Sequence, residues 1–149
     1  MKSEPKQKLM RSATLVQPRV QVGALPWRVR NGRLEVMLIT SRERKRWIIP
    51  KGWSIQGKTL AQAAEIEAWE EAGVISGKCS RKPIGLVSYV KRLNRGGRAL
   101  CEISVYLLRV RRLTAAFPET HERRRLWTTP AHAARLVDEP GLKAILNAM

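Results

Sequence analysis

Cysteine is scarce in this chain, Cys79 and Cys101 being the only two. That is too few for a disulfide framework, and nothing has the paired spacing of a zinc site, so both read as reduced thiols. The two histidines, His121 and His132, have no helical or hairpin partner and are not read as ligands. Two Tyr, one Phe and five dispersed Trp make no stacking platform of the kind that binders of single-stranded nucleic acid present. No apolar run approaches about eighteen residues, so no membrane span is expected. The first stretch, MKSEPKQKLMRSATLVQP, carries basic residues without an apolar core region. It predicts no secretory signal, and a cytoplasmic location is the expectation. With 149 residues and 44% hydrophobic content the chain can bury one core. We therefore expect one domain over residues 18–149, preceded by a flexible basic arm over 1–17.

Acid is also scarce, with 12 Asp and Glu against 29 Lys and Arg and a net charge of +17. Basic clusters at 42–46, 78–82, 91–98, 109–112 and 123–125 spread that charge along the whole chain. A field of this kind favours polyanions, whether nucleic acid or a densely phosphorylated small molecule. Against it, four of the twelve carboxylates, Glu65, Glu67, Glu70 and Glu71, fall within one short stretch. Thr59 with Gln62 forms a capping box and Gly73 stands where a C-terminal glycine cap belongs, which predicts a helix between them. At about 100° per residue, Glu67, Glu70 and Glu71 share a side with Leu60, Ala63 and Ala64. A solvated acidic face would sit opposite the apolar stripe, and carboxylates at these spacings repel one another. A hard divalent cation such as Mg²⁺ reverses that repulsion, because it takes carboxylate oxygens and shares its remaining positions with water and phosphate.

Around this helix the chain alternates strand and turn signals. Val20 to Arg30 and Arg33 to Thr40 flank Asn31-Gly32 and predict an antiparallel hairpin. A strand at Trp47 to Ile49 leads through a Pro/Gly loop to the helix. A turn at Gly77 follows, then strands at Ile84 to Lys91 and Ala99 to Val110 paired as a second hairpin across Asn94 to Gly97. Arg123 to Trp127 is a short strand or its approach. Thr129-Pro130 opens a helix to about Val137, and Pro140 to Met149 is a last short helix.

These residues resemble the Nudix hydrolase signature, G-x5-E-x7-R-E-U-x-E-E-x-G-U, with U a bulky aliphatic. Gly52, Glu67, Glu70, Glu71, Gly73 and Val74 fall in register, and Ala68 fills the first U position. Lys58 stands where the signature has its first glutamate and Ile66 where it has arginine. In the family that arginine helps orient the neighbouring catalytic glutamate, so the two departures bear on rate and metal affinity. The resemblance implies an α/β fold, the Nudix α/β/α sandwich with a mixed sheet. It also implies hydrolysis of a phosphoanhydride with Mg²⁺, Mn²⁺ being possible. By carry-over, Glu67 and Glu71 are the principal metal ligands. Glu70 is a third ligand or the base that takes the proton of the attacking water, and Gly52 lets the loop backbone approach metal and phosphate.

A narrower resemblance covers about residues 18–146. Thr40-Ser41-Arg42, Arg46-Trp47-Ile48-Ile49-Pro50, Val105-Tyr106-Leu107-Leu108 and Arg123-Arg124-Arg125-Leu126-Trp127 are similar to the diphosphoinositol polyphosphate phosphohydrolase branch. That branch hydrolyses diphosphoinositol polyphosphates and diadenosine polyphosphates. Long polyphosphates need cations beyond the metal, and Arg42, Arg46, Arg98, Arg123 and Arg125 are the candidates. Trp53, in place of the branch's glycine-rich loop, is either a substrate platform or a plug filling core space, with the plug preferred. Glu102 is a weaker candidate ligand, read first as a strand carboxylate paired with arginine. The alternatives are an RNA 5′-end pyrophosphohydrolase and a catalytically silent Nudix-like binding module. Retention of all three helix glutamates argues against the silent module.

Overall fold

The structure is a computed structural model that describes residues 17–149. The basic arm expected over 1–17 lies, apart from its last residue, outside the described residues. Strands β1 (Arg19–Arg30) and β2 (Arg33–Thr40) pair antiparallel through Asn31-Gly32, with Arg30 opposite Arg33. Strands β3 (Trp47–Ile48) and β4 (Lys51–Trp53) are short and flank Pro50. Helix α1 (Leu60–Ala72) follows, then β5 (Val74–Cys79), β6 (Gly85–Arg92), β7 (Arg98–Leu113) and β8 (Arg125–Thr128). Helices α2 (Pro130–Leu136) and α3 (Pro140–Asn147) close the order.

The strands form one sheet in the order β3-β2-β1-β7-β5, with β4 on β1, β6 on β7 and β8 on β2. Among the described residues its only parallel pair is β1 with β7, and that pair makes the sheet mixed. The sandwich forms because β1 and β2 are apolar on both faces. Val22, Ala24, Met37 and Ile39 face α1, while Leu25, Val36 and Leu38 face α2 and α3. Helix α1 meets the sheet through Ala63, Ala64, Ala68 and Ala72, all fully buried. Such small side chains let the helix axis lie close to the strands, and this brings the glutamates on the same face down to β4. Among the described residues no helix is long and apolar enough to cross a membrane.

Two expectations are corrected. Gly77 is not a turn but lies within β5, where the register against β7 shifts between Ser76 and Gly77. A Cβ on Gly77 would come within 2.7 Å of the Arg109 carbonyl oxygen, so this glycine marks a bulged strand drawn tight against its neighbour. Trp53 is not a core plug. It is 42% exposed, with the Lys91 ammonium 4.9 Å above its ring.

Candidate active site

Helix α1 begins at the Thr59 capping box and ends at Gly73, whose N–H donates to the carbonyls of Ala68 and Trp69. No basic residue occurs anywhere between its ends. Both local signals are strong, so the helix cannot slide, and the angular position of Glu67, Glu70 and Glu71 follows from them. Gly52 in β4 faces this helix directly. A Cβ there would fall on the Glu67 carboxylate, so only glycine lets the strand backbone and that carboxylate meet. One residue earlier, the Lys51 N–H donates to Glu71 Oε1 at 3.1 Å. Glu71 Oε2 lies 3.2 Å from Arg123 Nη2, and the same nitrogen reaches Glu119 Oε1 at 2.8 Å. Glu119 sits between β7 and β8 and is tied to the helix by its N–H, which donates to the Glu70 carbonyl at 3.0 Å.

This crowding shows in the acidities. Burial, followed by the charges of Glu71 and Glu70, pushes the Glu67 carboxyl up to about 7. Burial also raises Glu71, against the opposing pull of Arg123 and of the Lys51 N–H. Two acids held side by side out of water lack a positive partner that both can share. Among the described residues, no group of three or more histidine, cysteine, aspartate or glutamate side chains is placed to hold a metal ion, so Glu67, Glu70 and Glu71 are not brought together as a set of three. The donor set instead fits an open site: Glu67 and Glu71 supply hard oxygens from one helical stripe, and the other positions are left to water and substrate phosphate. Their mutual repulsion is the feature that a divalent cation would relieve.

The arginines expected at the substrate are dispersed. Arg42 is 62% exposed, with its Nε 3.8 Å from Glu119, and Arg46 lies 3.8 Å from Asp138. Arg98 begins β7 opposite Arg92, in the β6–β7 hairpin. Arg125 is turned away from a substrate role: its Nη1 donates to the carbonyls of Ala72 and Thr114 at 3.0 Å, and its guanidinium lies 5.0 Å from the Phe117 ring centre. The orphan carbonyl at the end of α1 claims it. Arg123 is committed inward as well. Glu102 pairs in register with Val20 and Ser88, with no ion pair to arginine among the described residues. Glu119 was missed, because a single glutamate in a loop carries no spacing signal.

The two departures from the signature lie together. Lys58 and Ile66 line one open groove with Gln62, Glu65 and Trp69, along the flank of α1 and β5. An arginine at 66 would therefore meet Lys58 rather than a carboxylate partner at position 58. Ile66→Arg is expected to leave kcat/KM within about twofold of wild type, a change in the groove that does not touch Glu67 or Glu71. A tenfold gain in steady-state assays would show instead that the helix arginine can still act from this position.

On the opposite face of the sheet a cavity of about 320 Å³ opens beneath α2 and α3. Trp47, Ile49, Tyr89 and Leu142 give it apolar and aromatic walls, and Asp138 and Glu139 stand in its lining. Lys51 joins the two regions. Its peptide N–H holds Glu71, while its ammonium lines the cavity and donates to the Tyr89 hydroxyl at 3.2 Å. Burial lowers the pKa of that ammonium, with the charge of Lys91 acting in the same direction.

No family model matches the chain. It is 31% identical over 111 residues to Nudix hydrolase 13, mitochondrial, of Arabidopsis thaliana, a match that covers 70% of this chain and 54% of that protein. To Nudix hydrolase 16, mitochondrial, of the same plant it is 28% identical over 141 residues, covering 86% and 77%. The chain thus spans about half the length of the first of these relatives. Among solved structures, the Ap4A hydrolase of C. elegans superimposes with a TM-score of 0.61 at 18% identity, over 88% of this chain and 95% of that one. The fold is the Nudix fold, shared with the structural neighbour, and the curated relatives support the Nudix hydrolase family. None of the three points to the narrower diphosphoinositol polyphosphate branch.

Proposed function

We propose that this Nudix-fold protein hydrolyses a phosphoanhydride bond in a highly phosphorylated small molecule bearing a nucleoside, as a diadenosine polyphosphate does, with Mg²⁺ or Mn²⁺. The observation that carries this reading is the pair Glu67 and Glu71, half-buried and buried, held against a glycine backbone on a helix with no cation of its own. A divalent cation bound there would neutralise phosphate oxygens and lower the pKa of a bound water. Glu67 and Glu71 would hold that cation, and Glu70 would serve as a third ligand or accept the water's proton. Gly52 would let the strand backbone lie against the Glu67 carboxylate and so keep it at the cation.

The cavity favours a nucleoside over an inositol. Trp47 and Tyr89 offer aromatic surface to a flat ring, which a nucleoside has and an inositol lacks. That the Ap4A hydrolase of C. elegans shares the fold agrees with this reading. Arg42 and Arg46, each more than half exposed, would meet the distal phosphates of a long chain. With exposed charges screened beyond about 8 Å at 0.15 M ionic strength, added salt should depress activity on a tetraphosphate more than on a diphosphate. Arg42→Ala with Arg46→Ala should remove most of that difference, raising KM with little change in kcat.

The net charge of +17 sustains a second reading, cleavage at the 5′ end of RNA. A panel of diadenosine polyphosphates, nucleoside diphosphate derivatives, diphosphoinositol phosphates and 5′-triphosphate RNA, each with either ion, separates the two. Highest kcat/KM on a diadenosine polyphosphate supports the reading favoured here. Affinity that grows with RNA length, with a steep salt slope from released counterions, would replace it with the RNA one.

A further inference from the structure

The charge run Arg123-Arg124-Arg125 reads in sequence as a basic cluster whose first and third members would meet substrate phosphate, yet the Arg123 side chain is only 5% exposed. Its Nη1 donates to the Thr40 carbonyl at 3.0 Å, its Nη2 meets Glu71 and Glu119, and its Nε is buried without a partner among the described residues. The backbone behind it is pinned on both sides. Arg124 N–H donates to Thr40 Oγ1 at 2.9 Å, and Thr40 N–H donates to the Arg124 carbonyl at 3.1 Å. A planar guanidinium fixed in this way presents its donors in one direction. Two carboxylates from separate elements share one of its nitrogens, and a substrate phosphate would have to displace one of them to reach it.

Glu71 is held from two sides as a result. One oxygen accepts from Lys51 N–H and the other faces Arg123, so the carboxylate has little freedom to swing. No cation on α1 could do this, since the helix has none and the signature's arginine position is Ile66, turned to the groove with Lys58. We propose that Arg123 is the positioning residue of the site: from the segment leading into β8 it fixes Glu71 and gathers Glu119 beside it, on a helix that has no cation of its own. The kinetic consequence rests on the hydrolase reading above, whereas the metal-binding consequence stands apart from it.

Arg123→Lys and Arg123→Ala are compared with the wild-type full chain in three measurements: kcat and KM on diadenosine tri-, tetra- and pentaphosphate with Mg²⁺, Mn²⁺ affinity by calorimetry without substrate, and melting temperature. Partners that orient ligating groups typically matter by about 10–100-fold. On that scale Arg123→Ala is expected to lower kcat equally on all three substrates with little change in KM, and to weaken Mn²⁺ binding. Arg123→Lys should recover part of both losses, because an ammonium still supplies charge but not the planar fork. A KM that rises with phosphate-chain length at constant kcat would overturn the proposal in favour of phosphate binding. Unchanged kcat and Mn²⁺ affinity with only a lower melting temperature would overturn it in favour of packing. If Arg123→Ala does not fold, Arg123→Lys carries the same comparisons. If the wild type cleaves no substrate, the hydrolase reading fails, and calorimetry alone decides: weaker Mn²⁺ binding by Arg123→Lys supports positioning, and equal binding overturns it.

Discussion

Glu67→Gln is expected to lower the hydrolytic rate by at least about 10²-fold while leaving the fold intact, the scale of losing one metal-site or acid–base function. The substitution keeps the side chain's shape and removes the charge that burial, Glu71 and Glu70 all oppose. Stability should therefore move in the other direction from activity. The Glu67 carboxyl is raised from 4.5 to about 7 in the folded protein. Between those values the unfolded chain gives up its proton before the folded one does, so folding becomes less favourable as pH rises and the full penalty is present above about 7. Without divalent ions, Glu67→Gln should melt higher than wild type at pH 8 and equally at pH 4. A higher melting point only at pH 4 would contradict the assigned burial, and near-normal turnover would remove Glu67 from catalysis.

Gly52→Ala should also cost about 10²-fold in kcat, on the scale of a misplacement by about 1 Å in a catalytic group. The added Cβ would fall on the Glu67 carboxylate, and what must give way is the end of a flexible side chain rather than backbone. The cost to folding is accordingly small, and melting temperature should stay within a few degrees of wild type. A large fall in melting temperature with kcat preserved would mean that β4 shifts and Glu67 does not. The contrast with Gly77 is useful, since a Cβ there meets the backbone carbonyl of Arg109. Gly77→Ala is expected to destabilise the fold more than it affects the site.

Which features could be read from the sequence depended on how local their causes are. Helix α1 was legible to within a residue because its capping box and its glycine cap act over five residues at most. The hairpin at Asn31-Gly32 was legible for the same reason. Strand β5 was not, because Ser76-Gly77 has the composition of a turn and becomes a strand only by its approach to β7. The stripe of Glu67, Glu70 and Glu71 followed from helical spacing, whereas its partners depend on tertiary contacts. Arg123 reaches Thr40 across 83 positions in sequence, and neither its burial nor the arrival of Glu119 has any signature along the chain. Three consecutive arginines look alike in sequence. The strand geometry leading into β8 turns the first and third inward, to Glu71 and to the end of α1.

The most direct test of the account is the hydrolysis of diadenosine tetraphosphate by the full chain, followed by separation of the products, with Mg²⁺ present, after chelation, and after the ion is restored. Cleavage to two nucleotides that stops on chelation and returns with Mg²⁺ or Mn²⁺ is the expected result. Cleavage unaffected by chelation, or none with either ion, would contradict a divalent-cation hydrolase built on Glu67 and Glu71.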